Sequence, residues 1–239
     1  METTGVLPAI PFKISFCTFQ EMGGKIRAGE KYPWAEEVPE AFAQLKRLIR
    51  DTIVIMGPTT FRAFSHCKHG RDLILFNTNH LCLILTKKKD FSPPKEYPIC
   101  SVKSLKQVSN IWLASHRLEE IKHEENQRRI ELQRQQSIHK KTITPQDIFI
   151  IKTEPHIEKT IIAIGGPRLY KRILPYATTI HMFLICEPFP GDTSLPPIDQ
   201  TLWEQDSNAY REYEANEENK HTFLRVSWKR KSNPSKMLF

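Results

Sequence analysis

The sequence predicts an α/β fold, on three observations. Short apolar runs rich in Ile, Leu and Val alternate with stretches whose apolar residues recur at helical spacing. Two of those runs end in glycine followed at once by proline and a helical pattern, at Gly57-Pro58 and Gly165-Gly166-Pro167. The chain is also 39% hydrophobic and 26% charged over 239 residues, which is enough apolar material for a sizeable core and excludes a wholly disordered chain.

Taken in order, residues 13–19 (KISFCTF) read as the first strand, followed by a loop through Gly23, Gly24 and Gly29. Residues 39–50 place Phe42, Leu45 and Ile49 on one helical face, with Pro39 suited to a first turn. TIVIM (52–56) is a buried strand, and Gly57-Pro58 opens a short helix over TTFRAF. LILF (73–76) and LCLILT (81–86) both read as strands. Residues 87–98 hold Lys87, Lys88, Lys89, Pro93, Pro94 and Pro98 and read as loop. SLKQVSNIWLAS (104–115) is a helix, IIAI (161–164) a strand and RLYKRIL (168–174) a helix. IHMFLIC (180–186) and HTFLRVSW (221–228) are the last strong strands, and no internal repeat is present.

Two segments break this pattern. Residues 117–141 are nearly half charged and lack Gly and Pro, with a sparse apolar set of Leu118, Ile121, Ile130, Leu132 and Ile138. They read as a surface helix or arm inserted into a single domain spanning 1–239. The second is the C-terminus, where acidic residues between Glu204 and Glu218 precede the basic run of a 229–239 tail. These are either the solvated faces of a terminal hairpin or a contact surface for an acidic partner.

Charge and cysteine usage narrow the class further. Lys plus Arg number 35 against 27 acids, a net +8, which suits an anionic ligand or neighbour and gives only weak support for nucleic acid. Five scattered cysteines without Cys-x-x-Cys argue against a disulfide framework or zinc site and read as core fillers in a reducing compartment. The histidines show no paired ligand spacing, so no metal is expected. No apolar run is long enough for a membrane span, and METTGVLPAIPFK lacks the pattern of a signal peptide, so a cytoplasmic or intracellular location is expected.

Four motifs in fixed order carry a resemblance to the dihydrofolate reductase family: KYPW at 31–34, TIVIMGPTTF at 52–61, IIAIGGPRLYKRILPYA at 161–177 and GDTSLPPID at 191–199. The run LKRLIRDTIVIMG is most similar to viral, phage-type members. The resemblance implies a twisted, mostly parallel eight-stranded sheet flanked by helices, with 117–141 as an insertion. It also implies an NADPH site at Gly165, Gly166, Gly57 and Thr60, with a cis Gly165-Gly166 peptide. A strand running into glycines lets the backbone approach a pyrophosphate, and the helix start that follows favours an anion. Lys87 matches a position where the family can hold the 2′-phosphate, although Lys87-Lys88-Lys89 reads equally as a solvated loop.

The implied folate pocket is formed by Trp34, Phe19, Phe42 and Phe183. The family's single carboxylate, which holds the pterin and helps protonate it, maps to Ala41 when counted through LKRLIRDTIVIMG and to Glu40 when counted from Trp34. An extra residue is easier to absorb in the loop 35–39 than inside a helix, which favours Ala41. Phe183 replaces the threonine that shares a hydrogen bond with that acid, Phe19 replaces a small residue of the first strand, and Arg27 stands where the mobile loop has glycine. Either Arg71 or His80 takes the position that binds the folate tail. Two roles remain open. One is a homologue with impaired or lost catalysis, kept as a structural or interaction module of a viral particle or larger assembly through 117–141 and the tail, and then virion-associated. The other is an active NADPH-dependent dihydrofolate reductase.

Overall fold

The computed structural model describes residues 14–27, 29, 31–75, 81–88, 91–93, 99–140, 160–195 and 198–231. The chain forms two compact units, Met1–Val108 with Thr160–Phe239, and Ser109–Lys159. The first carries the sheet. Its elements are β1 (Ile14–Glu21), β2 (Lys25–Arg27), α1 (Pro39–Leu48), β3 (Ile53–Met56), α2 (Pro58–Ser65), α3 (Lys68–Leu75), β4 (Leu81–Leu85), β5 (Ile99–Val102) and the start of α4 (Leu105–Lys140). After the second unit come β6 (Ile161–Ala163), α5 (Pro167–Ile173), β7 (Ala177–Ile185), β8 (Thr193–Ser194), β9 (Trp203–Gln205), β10 (Arg211–Tyr213) and β11 (Phe223–Arg230).

The main sheet runs β10-β11-β7-β1-β6-β3-β4-β5, with β9 as a ninth strand against β11. The six strands from β7 to β5 are mutually parallel, and β11 returns antiparallel to β7. This is the expected mostly parallel sheet. All four residues of β3 are buried, as a central parallel strand covered on both faces requires. Side chains alternate along β1, so Phe16 and Gln20 share one face and Cys17 and Phe19 the other. Helix α1 covers the Phe19 face, its Phe42 ring 5.4 Å from that of Phe19. Helix α5 covers the opposite face, with Tyr170 5.0 Å from Phe16.

One predicted strand is a helix. LILF falls largely in α3, where Leu73 and Ile74 are buried and the Arg71 amide donates to the Cys67 carbonyl at 3.0 Å. Periodicity cannot distinguish a four-residue apolar run in a strand from a buried helical turn, and tertiary packing decides. That packing is tight at Gly70, where any Cβ would lie 2.5 Å from the Phe64 carbonyl oxygen of α2. The helix read over 104–115 continues unbroken to Lys140, so the charged run is helical through its described part. The short strands β2, β5, β8, β9 and β10 carry too few residues to show alternation. Cys17, Cys67 and Cys82 are buried, and burial pushes the thiols of Cys67 and Cys82 up to about 11 and about 12. Cys100, by contrast, is exposed on β5 and fills no core.

Candidate active site

Parallel neighbours β6, β3 and β4 end on the same edge of the sheet, which brings the three predicted nucleotide-binding segments together. Gly57 follows β3, Gly165 and Gly166 follow β6, and Lys87 lies exposed two residues beyond β4. The Gly57 amide donates to the Gly165 carbonyl at 2.9 Å, tying the two glycine turns to each other. The Gly165-Gly166 peptide is cis, as the resemblance implies. Gly165 has φ +140°, and a Cβ there would lie 2.7 Å from Thr60 Oγ1, so no other residue fits. Thr60 is buried in the first turn of α2, directly beneath these glycines. The first amides of α2, at Thr59 and Thr60, precede its first helical bond from Phe61 N to Gly57 O and are available to an anion.

The four predicted pocket residues also come together, but as a packed core. Phe19 stacks on Trp34 at 4.9 Å and on Phe183 at 4.8 Å, while Trp34 lies 5.8 Å from Phe42. Each is at most 3% exposed. Two rings that the sequence did not single out extend the cluster. Tyr32 lies 5.1 Å from Trp34 and 5.2 Å from Phe64, and Phe64 meets Phe42 at 5.9 Å. Tyr32 lies in the KYPW motif and Phe64 ends the TTFRAF stretch read as a helix, and neither carries a local sign of where it would point. Burying each ring stabilises the fold by about 1.5–3 kcal/mol, and favourable ring pairing adds about 0.5–1.5 kcal/mol per pair.

On α1 the two candidate acid positions face different surroundings. Ala41 is fully buried. Glu40 is partly exposed, and its Oε1 accepts from Gln44 Nε2 at 2.6 Å and Arg47 Nη1 at 3.1 Å. Consecutive helical positions diverge by about 100°, so the Glu40 carboxylate is held along its own helix rather than on the Ala41 side. Its amide donates to Asn219 Oδ1 at 3.0 Å. Arg71 is exposed on α3, and its alternative, His80, lies outside the described residues.

The loop after β1 is anchored by groups the sequence did not flag. Glu21 is buried, and its carboxylate accepts from the amides of Gly23 and Lys25, each at 2.8 Å. The Gly29 amide donates to Asp192 Oδ2 at 2.9 Å, joining this loop to the Gly-Asp-Thr motif, and β2, which ends at Arg27, pairs with β8. Next to the ring cluster, His181 Nδ1 lies 2.9 Å from Ser227 Oγ. Burial, reinforced by Arg225, pulls the His181 pKa down to about 4. Lys229 and Arg230 complete the last strand, Lys229 pairing with Asp206 at 2.8 Å, and 232–239 lie outside the described residues. Among the described residues there is no cluster able to hold a metal ion and no helix long and apolar enough to cross a membrane.

A mostly parallel sheet with helices on both faces and two glycine turns at one strand edge defines a doubly wound α/β protein. A family model described as dihydrofolate reductase matches residues 122–230. The dihydrofolate reductase of Bacillus subtilis (strain 168) is 24% identical over 191 residues, covering 80% of this chain and 79% of that protein. A solved dihydrofolate reductase from Enterococcus faecalis, complexed with NADP(H) and RAB-propyl, superposes with a TM-score of 0.61 at 17% identity, covering 92% of this chain and 97% of that one. In sequence and in fold the chain is similar to dihydrofolate reductases.

Proposed function

We propose that this chain keeps the family's dinucleotide site and has lost, or nearly lost, reduction of dihydrofolate to tetrahydrofolate. The observation that carries this reading is the six-ring cluster, in which Phe19 and Phe183 stand where the resemblance expects smaller side chains. Interiors are close-packed, so a pterin could enter only by displacing rings that already satisfy one another. The acid position supports the same conclusion. Ala41 offers no proton, and the Glu40 carboxylate is engaged by Gln44 and Arg47.

The glycine edge fits NADPH. Gly57, Thr60, Gly165 and Gly166 would hold the pyrophosphate through backbone amides and close approach, and Lys87 would meet the 2′-phosphate. When bound, NADPH supplies hydride. The chain's own contribution is to bind and orient the dinucleotide, and without a carboxyl at position 41 it has no general acid to match. Separate fluorescence titrations test the reading. NADPH is expected to bind while methotrexate binds weakly or not at all; tight methotrexate binding overturns it. The second reading, an active NADPH-dependent reductase with Glu40 as the acid, is favoured by the intact Gly29–Asp192 tie between the two loops.

We propose further that residues 117–140 contact a protein partner, making the chain an interaction module of a larger assembly, a viral particle among the candidates. Leu118, Ile121 and Leu132 are 58%, 38% and 59% exposed on an otherwise charged helix. At about 100° per residue they fall on one side of it. Deleting 117–141 should leave the melting temperature nearly unchanged and abolish co-sedimentation with the assembly. A large fall in melting temperature with assembly intact would assign the segment to core packing instead.

A further inference from the structure

The face of the sheet opposite the ring cluster contains a cavity of about 570 Å³, within the usual range for small-molecule sites. Its walls include Phe16, Tyr170, Met182 and Trp203, and it reaches from Gln20 near the end of β1 to Arg230 at the end of β11. None of these residues belongs to the glycine edge or to the six-ring cluster. Strand alternation separates them, since Phe16 and Gln20 point away from Phe19.

The register gives the cavity its shape. Lys229 pairs with Thr179, which in turn pairs with Ser15, so Arg230 lies level with the start of β1. Gln20 is five to six residues further along, roughly 18 Å at the rise of a strand, whereas a round chamber of this volume would span only about 10 Å. The cavity is therefore a slot.

Its charged end is Arg230. The guanidinium lies 4.5 Å over the Trp203 ring, and its Nε donates to the Ala177 carbonyl at 2.7 Å. Its Nη2 donates to the Leu174 carbonyl. Among the described residues no carboxylate pairs with it. The acid that shares the wall, Asp199, accepts from the Thr201 amide at 2.8 Å and the Thr201 hydroxyl at 2.6 Å. A half-buried guanidinium fixed by two carbonyls and a ring, at the end of an apolar slot, is complementary to an anionic head on an apolar chain.

We propose that this slot is a binding site for a single-chain amphiphilic carboxylate, with its head at Arg230 and its chain running toward Gln20. The test is calorimetric titration of the full chain with dodecanoate and with dodecanol, both below their aggregation limits. Dodecanoate should bind one to one and at least tenfold more tightly than dodecanol, with or without saturating NADPH. Arg230→Gln should abolish that preference, and Arg230→Lys should retain most of it. Met182→Trp, which fills the slot, should abolish binding of both. Thermal melts establish that each variant is folded, and the wild-type comparison stands without them. Absence of dodecanoate binding, equal affinity for the alcohol in the wild type, or undiminished binding to a folded Met182→Trp variant would each overturn the proposal.

Discussion

At the ends of β3 and β6 the chain is reduced to glycine and backbone, whereas on the face of β1 and β7 the same sheet is filled by rings. The two regions use their residues differently. The glycine edge works through amides and close approach, so it depends on a few positions where a Cβ cannot exist, Gly165 above all. A substrate pocket depends on volume, and two or three larger side chains are enough to close it while strengthening the core. On the proposed reading, the first kind of site survives sequence drift around it, and the second vanishes with no loss of fold.

The largest expected effect comes from reopening the ring region. Ala41→Asp combined with Phe183→Thr should raise dihydrofolate-dependent NADPH oxidation from background by about 10²–10⁴, the usual contribution of a general acid. No gain in a folded double variant would mean that Phe19 still excludes the pterin. Phe19→Ala alone should lower stability by about 3–5 kcal/mol in denaturant titration, because the ring touches three others. It should also create measurable methotrexate affinity while leaving NADPH affinity unchanged.

Acid should weaken the same region. His181 neighbours Phe183 on β7, and its folded pKa of about 4 lies below the unfolded value near 6.5. Between those values the unfolded chain binds more protons, so stability is complete above pH 6.5 and falls as pH drops toward 4, by on the order of 3 kcal/mol. His181→Gln should flatten that slope in melts taken across the range. At the other region, Gly165→Ala places a methyl against Thr60 at a positive φ and should cost about 1–3 kcal/mol together with most NADPH binding. The smallest effect belongs to Glu40→Gln. It removes one exposed ion pair with Arg47, worth under about 1 kcal/mol, and should leave the background rate unchanged. Robust wild-type turnover destroyed by this change would make Glu40 the working acid and the ring-filled pocket a functional one.

The strands β1, β3, β4, β6, β7 and β11, helices α1, α2 and α5, and the glycine turns were all legible in the sequence, because each is set by local pattern: an apolar run, a helical spacing, a glycine before a proline. That the glycine turns share one edge follows once the strands are parallel, since parallel neighbours end on one side. LILF was not legible as a helix, because four apolar residues satisfy either period and only contact with α2 chose between them. Nor could spacing show that Tyr32 and Phe64 would join Trp34, Phe42, Phe19 and Phe183, that Glu40 would be held by Gln44 and Arg47, or that Arg230 would close one end of a slot. Those outcomes depend on which side chains meet across strands and helices far apart in the chain, and a one-dimensional pattern does not encode that distance.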